Sequence, residues 1–527
     1  MNQDRSGPYD DVRTSDKVRS DPALDQPPLR SQLVWIALLI SLYVVVSLIG
    51  WHRTLIHDEI WYLLNAGKPL SVQLNTLRVD ITQPPLMYLL ERVWMQAFGQ
   101  TDDAIKLLVL AINALGIALF SAFAALVIRR WRLASFLLCT AYLQVGGVPN
   151  LARSYSLGLL LTIASLLAWE FWRRRPTIGR LVLWSFVMVL LAYTHYVCLL
   201  LLVPFVLVNW IYGHRPWLFA AVAALVGVSF LPWFVAVLPV YLSQGLDQQI
   251  GWVEKNPFLI LAKLPFYFLT YLPSGWNPYG ANDWPQSIPL RNLLICAALA
   301  AHGSLLVLAL RRWPDFWPPQ SRQAAAVPWF WSAALLGGFP ILTLLLFSLT
   351  IHPALDARFV AFVLPMYWLL VAMLADWGGR LAPMIVYAVF VPWLFTSITI
   401  PLVRNAGGPA LHRSLAVVAQ QIQPGDLIVC ERLAGPQVYW EWTRSFQHPE
   451  PVVIASNQPS PPDASILPVR KVNEIDVGKV TRVWFFATTY NPGGAADIRD
   501  FLTDHGFHRH GGPSSELPFL TLFEKTS

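Results

Sequence analysis

Over its first four hundred residues the chain alternates between long apolar blocks and short polar connections. The blocks run at 32–50, 104–128, 133–149, 155–172, 179–194, 196–212, 217–240, 291–310, 329–350, 359–375 and 381–401. Most are close to the ~20 apolar residues with which an α-helix crosses the hydrocarbon core of a bilayer. The pattern predicts about eleven helical spans. A further apolar segment, 257–272, is shorter and contains Lys263 and Pro265, so it reads as an amphipathic stretch lying at the interface.

The period changes after Pro401. Strand-like runs DLIVC (426–430), PVVIAS (451–456) and RVWFFATT (482–489) are interleaved with helical stretches near 409–422 and 495–506, with Gly, Pro and Asn turns between them. The fold class expected is therefore an α-helical polytopic membrane protein carrying a small C-terminal α/β domain. The membrane domain occupies 31–401 and the α/β domain 402–527. Residues 1–30 are polar, mixed in charge and proline-containing, and read as a disordered tail on the cytoplasmic side. The run from Leu33 to Ile49 is too long for a signal-peptide core and lacks a small-residue cleavage site, so it reads as an uncleaved anchor.

Composition excludes a soluble protein. Hydrophobic residues make up 55% of the chain and charged residues 13%, about half the usual charged share of a globular domain. The net charge of +7 does not indicate a nucleic-acid partner, because the basic residues cluster in short loops. With the N-terminus inside, the inner loops carry Arg129, Arg130 and Arg132, then Arg173, Arg174, Arg175 and Arg180, then His214 and Arg215, then Arg311, Arg312 and Arg322, and finally Arg380. That asymmetry is the positive-inside signal, and an odd number of spans then places the C-terminal domain outside. Counting 257–272 as a span would reverse it at Arg311 and Arg312. Of four cysteines, three lie in or beside apolar blocks, which predicts neither a disulfide framework nor a thiolate metal site.

Two outward connections stand out by length, 51–103 and 241–290. The first opens on His57-Asp58-Glu59 directly after the first span. Adjacent carboxylates cannot face the same way on a helix or strand, so they take different parts. One reading is chemical; the other is that acidic residues simply suit the start of a helix. Further on come Asp80 and the run Gln83-Pro84-Pro85-Leu86-Met87-Tyr88-Leu89-Leu90. Pro-Pro marks a helix start, and Leu86, Leu89, Leu90, Val93 and Trp94 form an apolar face suited to a helix lying on the membrane. Arg153, His195 and Arg358 stand at the outer ends of spans, in LARSY, YTHY and LDARF. Each alone fits a snorkelling interfacial residue. Together they offer cationic donors on the face that holds Asp58, as a phosphate-bearing lipid requires. Trp276, Asn277, Pro278, Tyr279, Trp284 and Pro285 in the second long connection can stack on sugar faces, but an interfacial aromatic belt is the stronger reading.

The order of Asp58-Glu59 after the first span, QPPLMYLL at 83–90, ARSYSL at 152–157, THY at 194–196 and ARF at 357–359 resembles the GT-C glycosyltransferases. The likeness is to the bacterial branch related to protein O-mannosyltransferases and to the lipid A aminoarabinose transferase. It runs from about residue 33 to the C-terminus. Two departures stand beside it: Leu151 occupies a place where members often carry Glu, and Thr82-Gln83 precede the Pro-Pro pair where relatives carry an acidic and a basic residue. The resemblance implies transfer of a sugar from a polyprenyl-phosphate donor to a hydroxyl on a glycan, lipid or protein acceptor. Transfer would take place at the outer face of a bacterial inner membrane, with inversion. It makes Asp58 the general base and Glu59 its orienting partner or a ligand to a divalent cation. Arg153, Tyr155, His195 and Arg358, with Asp80 and Gln83, become the groups that bind donor and phosphate. An oligosaccharide ligase or polymerase would also use a polyprenyl-linked donor, but places its key residues in a later outer loop. A lipid or sugar transporter is disfavoured by spans almost free of charge at their centres and by the lack of matching halves.

Overall fold

The computed structural model describes residues 28–49, 51, 55, 57–80, 83–143, 151–212, 215–250, 253, 255–261, 288–311, 326–356, 358–388, 391, 410–432, 434–446, 452–455, 469–487, 492–511 and 520–525. Most of the expected N-terminal tail, most of 257–272, the aromatic residues 276–285 and most of 389–401 lie outside them.

The apolar blocks fold as helices: α1 (Leu29–Ile49), α5 (Asp102–Val127), α6 (Trp131–Tyr142), α7 (Ser154–Arg174), α8 (Ile178–Ala192), α9 (Leu202–Tyr212), α10 (Pro216–Ile250), α11 (Ile288–Arg311), α12 (Ala326–Thr350) and α13 (Leu364–Trp377). Among the described residues five stretches, 29–49, 102–127, 154–174, 216–243 and 328–350, are long and apolar enough to cross a membrane, and four others are apolar but shorter. The described residues of the long first connection form three helices: α2 (His57–Ala66), α3 (Leu70–Asp80) and α4 (Leu86–Phe98).

Helix α7 is the inner post of the bundle, buried on most of its surface, whereas α1 leaves Leu33, Leu38, Val45 and Leu48 exposed. Without a membrane that exposure would be costly; against lipid it is the expected outer surface. α7 is 21 residues long, so its ends stand ~30 Å apart. At its C-terminal end Glu170 is fully buried and receives Arg173 at 2.8 Å and Arg174 at 2.7 Å. Arg130 of the α5–α6 connection pairs with Asp376 of α13 at 3.0 Å. At its N-terminal end α7 meets the first connection.

Among the described residues from 410 on, six strands form a sheet in the order β3-β2-β1-β4-β6-β5. The strands are β1 (Leu427–Glu431), β2 (Val452–Ala455), β3 (Val469–Arg470), β4 (Arg482–Phe486), β5 (Phe507–Gly511) and β6 (Leu520–Lys525). β3, β2, β1 and β4 pair in parallel, and β6 and β5 add antiparallel. β1 is buried on both faces, as a central parallel strand must be, which explains its unbroken apolar sequence LIVC. Ile428, Cys430, Trp484 and Phe486 point to one side, under α14 (Ala410–Gln421) and α15 (Gly435–Glu441). Leu427, Val429, Val483 and Phe485 point to the other, under α16 (Pro492–Asp504).

Candidate functional site

Helix α2 places Asp58 and Glu59 in its first turn, where the unpaired N–H groups and the helix dipole favour carboxylates. Neighbouring helical positions diverge by ~100°, so the two point apart. Glu59 turns inward, is fully buried, and its Oε1 accepts the backbone N–H of Ala152 at 2.8 Å. Asp58 faces another way, with a quarter of its side chain exposed, and its Oδ2 accepts Arg153 Nη1–H at 2.5 Å. Two consecutive carboxylates thus hold two consecutive residues, Ala152 and Arg153, in the turn that leads into α7.

Arg153 is positioned by rings as well as by charge. Its guanidinium carbon lies 5.6 Å from the Tyr62 ring centre and 5.1 Å from that of Tyr155. Tyr62 is stacked on Tyr88 of α4 at 3.9 Å. Burial opposes the charge of Arg153, but Asp58 and the surrounding tyrosines keep it protonated well above the usual range. Arg153 Nε is buried without an acceptor among the described residues.

The remaining motifs join the start of α7 through a chain of contacts. Ser154 Oγ donates to the Gln83 side-chain carbonyl, tying the QPP turn to the start of α7. Leu86 N–H donates to the Tyr193 carbonyl at 3.0 Å, tying the same turn to THY. The Tyr155 ring lies 5.5 Å from that of His195, which lies 5.7 Å from Phe359. Arg358, next to Phe359, donates its backbone N–H and its Nε–H to Asp356 Oδ1 at 2.9 and 3.0 Å. Gln83 is therefore a buried tie, not an open donor. Asp80 ends α3, and its side chain lies outside the described residues.

His195 departs from the expected cationic donor. Its Nδ1 accepts the N–H of Val197 at 3.3 Å, so the neutral ring carries its proton on Nε2. Burial first, and the charge of Arg153 second, lower its pKa to about 3. It is a neutral N–H donor at physiological pH.

Tyr62, Tyr88, Asp356 and Glu91 were not expected in the site. Glu91 is fully buried on α4, and neither of its oxygens has a hydrogen-bond partner among the described residues. Burial and then the charge of Glu59 push its carboxyl well above the usual range, with Arg153 opposing. One signal was present in the sequence: positions 88, 91 and 95 share a helical face, and Tyr88, Glu91 and Met95 are all buried. The apolar face drawn through Leu86, Leu89, Leu90, Val93 and Trp94 is the opposite one, with Val93 largely exposed. Among the described residues no three His, Cys, Asp or Glu side chains form a group that could hold a metal ion.

The arrangement offers an accessible carboxylate able to take a proton, a permanent cation beside it, and a neutral imidazole behind. No protein family and no curated protein matches the sequence. Among solved structures, the chain is similar to the crystal structure of ArnT from Cupriavidus metallidurans bound to undecaprenyl phosphate. The TM-score is 0.53 at 13% identity, over 94% of this chain and 98% of that one. The apo state of the same protein gives a TM-score of 0.50 at 12% identity, with the same coverage. At such identity the likeness shows the fold, and it extends over nearly the whole chain.

Proposed function

We propose that this protein is a membrane glycosyltransferase that moves a sugar from a polyprenyl-phosphate donor to a hydroxyl acceptor, with Asp58 as general base. The observation that carries this reading is the Asp58–Arg153 pair, a partly open carboxylate at 2.5 Å from a cation that tyrosines hold in place. The fold likeness to a protein crystallised with undecaprenyl phosphate supports the donor class.

In this scheme the donor phosphate draws on Arg153, and Asp58 is released to face the acceptor. The acceptor oxygen forms a bond to the anomeric carbon while its proton passes to the Asp58 carboxylate. The bond between anomeric carbon and phosphate oxygen breaks, and its electron pair leaves on the lipid phosphate. Arg153, His195 Nε2–H and Arg358 stabilise that charge, which is the work of preorganised donors in a dry site. A single displacement inverts the anomeric centre. Glu59 holds Ala152 and thereby keeps Arg153 in reach of Asp58.

Sidedness follows from the arginine loops. The membrane domain, 31–401, crosses about eleven times with its N-terminus inside, and the sheet unit within 402–527 lies outside with the site. The compartment is a bacterial inner membrane.

The decisive test uses membrane vesicles and radiolabelled polyprenyl-phosphate sugars, comparing wild type with Asp58→Asn. Removing the base is expected to lower transfer by about 10²- to 10⁴-fold. Undiminished transfer would remove Asp58 from the mechanism.

A further inference from the structure

Among the described residues, a short helix joins the sheet to the helix that carries Asp58. α15 is rooted in the sheet: Gly435 sits against Ile454 of β2, and Val438 packs with Ile428 and Trp484. Gln437 and Trp440, three positions apart and so on a shared face, point instead into the membrane domain, and both are buried. The Gln437 side-chain amide donates to the backbone carbonyl of Leu55, just before α2. Trp440 Nε1–H donates to Asp102 Oδ1 in the first turn of α5 at 2.7 Å. The Trp440 ring also belongs to one buried cluster with Leu55, Ile60, Ile105 and Ala152.

That cluster lies behind both halves of the site. Ile60 follows Glu59 on the helix that carries Asp58, and Ala152 precedes Arg153. A helix of 10 residues is too short to hold its own start, so α2 takes its register from what it packs on. The Leu55 carbonyl is in a buried residue and needs a donor, which Gln437 supplies.

We infer that Gln437 and Trp440 are positioning residues, through which the sheet unit seats the start of α2 against Ala152–Arg153 and sets the Asp58–Arg153 geometry. A displacement of ~1 Å at a reacting group can cost ~100-fold in rate, so a contact this far from the chemistry has leverage over it. The catalytic consequence rests on the reading of Asp58 as the base, whereas the geometric one does not.

The test labels carboxylates of the purified full-length protein with a carbodiimide and an amine, and reads each site by mass spectrometry. Trp440→Phe keeps a ring but loses the N–H, and Gln437→Glu keeps the shape but turns a donor into an acceptor. Labelling at Asp58 should rise about five- to thirtyfold, the factor that one or two kcal/mol confers. Labelling at Asp376, paired with Arg130 at the other end of the bundle, should hold. In the transfer assay both variants should lose kcat with the donor KM unchanged. Unchanged labelling of Asp58 in both variants, or an equal rise at Asp376, overturns the inference. Selective labelling beside a wild type that transfers no polyprenyl-phosphate sugar would instead sink the proposed function and leave the positioning role standing.

Discussion

His195 shows how much a single residue's surroundings change its chemistry. Free imidazole titrates at pH ~6.5, and here burial beside Arg153 lowers that to about 3. The unfolded chain therefore binds a proton that the folded protein refuses, so folding stability rises with pH across the interval between the two values. It is complete above about pH 6.5 and declines as the pH falls toward 3. At pH 5 the loss amounts to ~2 kcal/mol relative to neutral pH. Thermal unfolding in detergent at pH 5 and 7.5 should show that loss in wild type and a smaller one in His195→Gln. Equal acid-side losses in the two proteins would show that the ring is charged in the fold. The same reasoning separates Asp58 from Glu59. The pair is visible in sequence, but which carboxylate is open and which is buried depends on how α2 is rolled against Ala152 and Arg153.

At the scale of elements, apolar period was a reliable guide where one environment surrounds the whole segment. The block 155–172 lies within α7, and the run LIVC lies in a strand buried on both sides. It was a poor guide for α4, whose apolar stripe is the less buried side while Glu91 points into the protein. A helix between protein and lipid has two apolar surroundings, and hydrophobicity cannot rank them. The junction of α15 with the sheet is tighter still. A Cβ at Gly435 would lie 2.6–2.8 Å from three side-chain atoms of Ile454, a buried branched residue with little room to move. Gly435→Ala should therefore cost ~1–3 kcal/mol. Hydrogen exchange should register the loss first in β1 and β2; unchanged protection there would mean that the sheet absorbs the methyl group.

For the whole molecule, the arginine pattern and the long axis of α7 agree. Glu170, Arg173 and Arg174 gather at one end, and Asp58, Arg153 and His195 meet at the other, ~30 Å away. In the proposed orientation, with the arginine-rich end inside, the site and the C-terminus are expected outside. A reporter fused after Ser527 that is active only outside the cytoplasm should give signal, and a cytoplasmic reporter at the same place should not. The opposite result would overturn the odd span count.

The sequence alone determined the membrane class, the helical blocks, the change of period after Pro401 and the short motifs of the site, because all of these are local patterns set by side-chain polarity and spacing. Only the tertiary structure decided what those motifs do to one another. It joined Asp58 to Arg153, used Gln83 as a tie, kept His195 neutral and brought Glu91 in beside Glu59. It also linked Gln437 to Leu55 across 382 positions of chain. Burial and charge fields depend on neighbours distant in sequence, and no local pattern encodes them.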